Sequence, residues 1–199
     1  MSVFVIGSQL LIFEILYRRY GMSKNWLLLR LVSVCLVMCV PLFATALSSV
    51  QQYNCSVLLG GLCYIAIIDY KMQRIPNTFL LFLLINRIVL CLQDTSVIQY
   101  SVVSAIVWLA GLGLLHKLLK NGFGAGDVKL MSVIGGYIGL WHSTVVLLLS
   151  CACICIIGTI RFLIKRDHLN VSLPMAPFVC LSFGVVFSHS LIFLGGFTL

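Results

Sequence analysis

Two carboxylates in this chain stand where carboxylates are expensive. Asp127 follows the ribbon Gly122-Phe123-Gly124-Ala125-Gly126 and opens an apolar segment, while Asp69 closes another, in Ile67-Ile68-Asp69-Tyr70. Only five of the 199 residues are acidic, so two of them set against hydrophobic sequence need a reason. Ionisable groups at membrane depth are costly and mark functional positions by default. Two carboxyls brought together cannot both ionise cheaply, so one keeps a proton near neutral pH. The ionised member can then draw a proton from water, and the protonated member can donate to a carbonyl. Such a pair implies peptide hydrolysis inside or beside a membrane, with no metal and no cofactor.

The flanking residues refine that expectation. Asp127 falls where a helix N-cap would be, and backbone N–H groups there favour a negative charge. Asp69 falls near a helix C-terminus, whose dipole disfavours one. On helix ends alone, Asp127 carries the charge in the resting pair and Asp69 the proton, as a bias of the pair and not a property of either group. Gly124 and Gly126 allow backbone angles closed to other residues and let a second backbone approach, as an extended substrate strand would. Read by themselves, they are equally compatible with a helix break and a capping aspartate. Pro76, in Ile75-Pro76-Asn77, suits the first turn of the following helix, where a missing N–H costs nothing.

The elements that must position these residues are apolar runs. Hydrophobic residues make up 61% of the chain and charged residues 9%. Runs of membrane-spanning length without strict alternation imply an all-α, polytopic transmembrane bundle and not a barrel. Eight segments are expected, at roughly 2–17, 27–47, 55–69, 76–92, 97–115, 129–141, 144–163 and 172–197, with six or seven spans as the alternatives. The sixth is short and carries Gly135, Gly136 and Gly139, which suits close helix packing. No repeat, linker or low-complexity tract divides the chain, so residues 1–199 are expected to form one membrane domain.

Charge orients the bundle. Twelve of the thirteen basic residues lie in or beside the connectors after segments 1, 3, 5 and 7, among them Arg18, Lys71, Arg74, Lys117, Lys129 and Arg166. The connectors on the other side hold none. By the positive-inside rule the basic side is cytoplasmic, which puts both termini outside and both carboxylates at the cytoplasmic face. The +8 net charge is thus topological; it can attract anionic lipid head groups, and no nucleic-acid partner is needed to explain it. Segment 1 lacks a basic stretch ahead of its apolar run, so it reads as a retained span and not a cleaved signal.

Asp69 with Pro76-Asn77 seven residues on, then Gly124-Ala125-Gly126-Asp127-Val128-Lys129-Leu130, then Leu173-Pro174-Met175-Ala176-Pro177-Phe178, resembles the type IV prepilin peptidases, membrane aspartic proteases with a GxGD motif. The three elements occur in the family order, and the resemblance covers about residues 55–199. It implies that Asp69 and Asp127 are the catalytic pair. It further implies removal of a short basic leader from prepilins and pseudopilins, by a cut after a glycine on the cytoplasmic side, just ahead of the substrate's hydrophobic helix. Larger members carry a cysteine-rich insertion between the first two spans, linked to N-methylation. Here that connector is about Arg18–Trp26 and has no cysteine, so the resemblance is to a short, peptidase-only form. Lys71 and Asn77 stand where larger members often carry acidic residues. Two other readings remain at this point: a GxGD protease of the presenilin or signal-peptide-peptidase kind, or a non-enzymatic transporter or assembly component with carboxylates in a proton path.

The remaining polar residues have plainer explanations. Lys71 and Lys129 flank the pair and are candidates for electrostatic or substrate contact, although topology alone accounts for a lysine there. Arg87 is the one basic residue deep in a span and calls for a local partner such as Asn86 or a backbone carbonyl. The nine cysteines lie in or at the start of apolar runs with no CxxC pair, and the four histidines share no metal-ligand spacing.

Overall fold

The computed structural model describes residues 49–93, 98–119, 124–165 and 173–193. The first two expected segments and both termini lie outside the described residues. Within them the chain is helical, in the order α1 (Ser49–Met72), α2 (Asn77–Gln93), α3 (Ile98–Leu118), α4 (Ala125–Lys165) and α5 (Ala176–Phe193). Three helices, Tyr53–Met72, Ile98–Leu118 and Ala125–Ile164, are long and apolar enough to cross a membrane, and Asn77–Leu92 and Ala176–Ser188 are shorter apolar helices.

Burial separates a centre from a periphery. α1 is apolar on every side, and such a helix must be enclosed; 78% of its most hydrophobic stretch is buried, against 17% for α3 and 17% for α4. Leu58, Leu62, Ile65 and Ile68 of α1 are almost wholly buried, with Leu83 of α2, Met131 of α4 and Val179 of α5. Tyr64 stacks on Phe79, centroids 6.3 Å apart, and so joins α1 to α2. The outward residues of α3 and α4, such as Val103, Ile106, Leu148 and Leu163, are exposed and apolar, as a lipid-facing surface should be.

The turn between α1 and α2 brings Asp69 into the bundle. α1 continues to Met72, so Asp69 sits within its last turn and not at its end. Gln73 adopts a left-handed φ of 50°, and its N–H bonds the Asp69 carbonyl at 2.8 Å, the C-terminal device that terminates many helices. The chain then passes through Ile75 to buried Pro76. The Pro76 carbonyl accepts the N–H groups of Phe79 (3.2 Å) and Leu80 (3.5 Å), so Pro76 is the N-cap of α2, one place earlier than the first helical position expected for it.

α4 moves the expected turn between two of the segments. The sequence suggests two spans, 129–141 and 144–163, joined by a turn at Trp141–Ser143. The structure has two helical limbs within α4, Ala125–Lys165, and places the break between them at a single residue, Gly139, with φ 75° and ψ 173°, just ahead of the expected turn. A side chain there would be strained, which is why the break falls on glycine. A straight helix of 41 residues would be about 60 Å long, twice a bilayer's hydrocarbon core, so the break is what lets both limbs share one membrane. Trp108 of α3 wedges the bend: its ring fills the space a side chain at Gly135 would need, and its Nε1 donates to Ser143 Oγ at 2.6 Å. The expected close packing of the sixth segment is realised against α3. Ser104 Oγ donates to the Gly135 carbonyl at 2.6 Å, Ser132 Oγ to the Ala105 carbonyl at 2.8 Å, and Ser101 Oγ to the Gly136 carbonyl. Small residues and cross-helix serine bonds of this kind are how helices associate without a hydrophobic drive.

Candidate active site

The C-terminus of α1 and the N-termini of α2, α4 and α5 gather at one end of the bundle. Asp69 projects from α1 and is 5% exposed. Its Oδ2 accepts the N–H of Ala176 at 3.0 Å. Ala176 is the first residue of α5, because the Met175 carbonyl accepts Phe178 and Val179, each at 3.1 Å. The donors of that first turn are then fully accounted for: Ala176 serves Asp69, Pro177 has no N–H, and Phe178 and Val179 bond to Met175. The Leu173–Phe178 element thus builds a helix start whose one outward N–H meets Asp69. Sequence reasoning placed the two prolines at this helix entry but missed that its backbone reaches a carboxylate; a proline in a first turn, which removes a competing donor, was the available signal.

Asp127 is half-buried and lies three residues into α4. The Gly124 carbonyl accepts the N–H of Asp127 at 3.0 Å and of Val128 at 3.2 Å, so Gly124 is the N-cap and Asp127 the third helical residue. That corrects the capping position expected for Asp127. Its carboxylate folds back over the cap: a Cβ built on Gly124 would stand 2.6 Å from Asp127 Oδ2. An acid at this position characteristically reaches back toward its own N-cap, and any side chain at 124 would displace it. Gly126 serves a different neighbour. A Cβ there would lie 3.1 Å from Ile75 Cβ, so the α1–α2 loop rests directly on the glycine ribbon.

The two carboxylates share this end of the bundle, because the loop that follows Asp69 rests through Ile75 on Gly126, next to Asp127. The division of charge expected from helix ends rested on Asp69 facing only a C-terminus. The structure adds the α5 N-terminus to its surroundings, so each carboxylate faces the positive end of a helix dipole, and that argument no longer separates them. Lys129 Nζ donates to Asn77 Oδ1 at 3.2 Å, linking the starts of α4 and α2 beside the pair. Lys71 is exposed in the last turn of α1, on the same end of the bundle. Next to Asn77 and Lys129 opens a cleft of about 450 Å³, walled by Leu80, Leu81, Leu84 and Leu109. Among the described residues no group of three His, Cys, Asp or Glu side chains gathers at one point.

An apolar helical bundle with helices long enough to cross a membrane defines the class of a helical membrane protein, with two carboxylates at one of its ends. The family model of the type IV leader peptidases matches residues 56–160, over half of the chain, and the chain belongs to that family. It is similar to a prepilin leader peptidase/N-methyltransferase of Stutzerimonas stutzeri, 27% identical over 138 residues, covering 63% of this chain and 46% of the relative. It is also similar to a protein of the same description from Legionella pneumophila, 30% identical over 124 residues, covering 58% of this chain and 42% of the relative. The matched region thus spans under half the length of these curated relatives. No solved structure matches the chain.

Proposed function

We propose that this chain is a membrane aspartic endopeptidase that removes the short basic leader of type IV prepilin-like or pseudopilin-like precursors. One carboxylate of the Asp69–Asp127 pair takes a proton from water as the oxygen attacks the scissile carbonyl. The other donates its proton to the carbonyl oxygen. The tetrahedral diol then collapses: the carboxylate takes a proton from one of its hydroxyls, the protonated partner gives its proton to the departing nitrogen, the C–N bond breaks, and the pair is again singly protonated. No metal or cofactor enters the scheme. The observation that carries it is the meeting of Asp69 and the Gly124–Asp127 turn at one end of a membrane bundle, within a chain of the leader peptidase family.

In this reading the chain is a single peptidase domain of a bacterial inner membrane, with the site near the cytoplasmic face and both termini outside. A precursor held in the bilayer presents its leader at that face. The connector Arg18–Trp26 has no cysteine, so the activity is peptidase alone, without the N-methyltransferase named for the curated relatives. The test is co-expression with a prepilin and a gel-shift readout of leader removal. Asp69→Asn and Asp127→Asn each reduce cleavage at least about 100-fold, the scale of a lost general acid or base, while both variants still insert into the membrane. Cleavage retained in either variant removes the pair from the mechanism. Labelled S-adenosylmethionine leaves the processed product unlabelled; a labelled product overturns the peptidase-only form.

A further inference from the structure

The cleft beside Asn77 and Lys129 does not end below the site. A second hollow, of about 210 Å³, lies between α2 and α3 and shares Leu84, Ser132 and Val133 with the first. Together they form a groove between α2 and α3, floored by the first limb of α4, that runs from the site into the membrane. Below the mouth at Asn77 and Lys129 its walls are mostly apolar, with Thr78, Ser101 and Ser132 as small polar groups and one charged group deep inside. Arg87 lines the deeper hollow and is 7% exposed. It lies about ten residues along α2 from Asn77, hence about 15 Å deeper, near the middle of a bilayer whose apolar core is about 30 Å thick.

The guanidinium is only partly satisfied there. Its Nε donates to Ser101 Oγ at 3.0 Å, and its central carbon lies 5.5 Å over the Tyr137 ring. Asn86, the partner suggested by sequence, instead accepts the Tyr53 hydroxyl at 3.2 Å. Nη2 is buried and has no hydrogen-bond partner among the described residues. An arginine at this depth is expensive and requires an acceptor. A buried cation that keeps an unused donor and lines an apolar groove leading to the carboxylate pair specifies its occupant by charge and shape. The occupant is a rod of apolar side chains with one acceptor part-way along. A polypeptide in this setting must be helical to satisfy its own backbone.

We infer that the α2–α3 groove seats the apolar membrane helix of the cleaved precursor, and that Arg87 receives a carboxylate or amide oxygen from that helix about ten residues beyond the scissile bond. This rests on the peptidase reading and adds where the substrate's helix lies and what it must carry. Arg87 would act as a specificity residue remote from the chemistry: it would hold the helix in register, so that the leader junction falls at Asp69 and Asp127.

The test places a photoreactive benzoylphenylalanine at Leu84, at Leu109 or, as a control, at Ile156 on the lipid-facing second limb of α4. Each is combined with Asp127→Asn and a co-expressed prepilin that the wild-type chain cleaves. Positions 84 and 109 should yield adducts with the precursor, and position 156 should not. In the active protein, Arg87→Gln should raise KM about tenfold or more, the worth of a hydrogen bond to a charged group, with kcat within about threefold, because the bond aids binding and not the reaction itself. An alanine scan of the precursor helix should find one acceptor residue whose loss adds nothing further in the Arg87→Gln background. Cleavage by the wild type with adducts only to lipid, or with the precursor captured equally from position 156, overturns the groove and leaves the peptidase reading standing. A kcat loss in Arg87→Gln at unchanged KM overturns the role of Arg87, while the crosslinks, which do not need that variant to fold, judge the groove separately. If the wild type cleaves no prepilin, the peptidase reading falls and this inference with it.

Discussion

Asp69 is held from outside its own helix and Asp127 from within. Asp69 is buried on the central helix α1, and its fixed partner is the N–H of Ala176, far away in sequence on α5. Asp127 is half-buried in the first turn of α4, folded over its own N-cap glycine. One carboxylate is thus part of the tertiary structure, and the other is part of a local turn that the α1–α2 loop presses on through Ile75 and Gly126. A pair built this way has one member positioned by packing and one by backbone geometry. Their failures under mutation should differ in kind even where the loss of activity is the same.

The largest expected effect separates stability from activity. Asp69→Ala and Asp127→Ala should both abolish cleavage, but the first should weaken the fold more. Removing the Asp69 carboxylate strands a buried N–H at the start of α5, a loss of about 1–3 kcal/mol. Removing Asp127 forfeits a half-exposed charge in a first helical turn, about 0.3–1 kcal/mol. Thermal unfolding in detergent, or protease resistance in membranes, should therefore rank Asp69→Ala below Asp127→Ala. Equal destabilisation, or the reverse order, would show that the Asp69–Ala176 bond does not tie α5 to α1.

That contrast also explains how much of the site was legible in the sequence. The Asp127 side is local, and Gly124, Gly126 and Asp127 could be read as a turn from residue types alone, although the cap was misplaced by three residues. Asp69 and Pro76-Asn77 were legible as a helix end and a helix start. What could not be read was the arrival of Ala176, because a backbone donor has no residue type to betray it. The positions of α1, α2, α3 and α5 followed from unbroken apolar runs. The exact place of the break between 129–141 and 144–163 did not, because hydropathy dips at Trp141-His142-Ser143 while the backbone breaks at Gly139, and φ is invisible to hydropathy. The Trp108–Ser143 bond that wedges the bend is likewise a contact between distant positions.

The two glycines of the ribbon sharpen the comparison at intermediate size. Gly124→Ala places a methyl 2.6 Å from Asp127 Oδ2, so the carboxylate must leave its position over the cap. Misplacing a reacting group by about 1 Å costs on the order of 100-fold, and kcat should fall by about 10- to 100-fold with normal accumulation in the membrane. Gly126→Ala meets Ile75 Cβ at 3.1 Å, a contact that a loop can relieve by a small shift. Its effect on kcat should be about 10-fold or less. If Gly126→Ala proves the more damaging, the α1–α2 loop and not the Asp127 turn sets the geometry of the pair.

The smallest effect concerns the seam between the two halves of the site. Lys129 leaves the same helical turn as Asp127 and reaches Asn77 at the start of α2, where the loop that follows Asp69 ends. The bond is exposed, so it competes with water and should contribute no more than about 1 kcal/mol. Lys129→Met should lower kcat/KM by about threefold to fivefold, and Asn77→Ala by a similar amount. If the two act only through each other, the double variant should be no worse than either single one, which a double-mutant cycle measures directly. Additive losses would mean that Lys129 acts separately, as a cation at the mouth of the groove whose repulsion of the precursor's basic leader helps set where that leader lies. In that case the lysine effect, unlike the Asn77 effect, should grow or shrink when charges in the leader are changed.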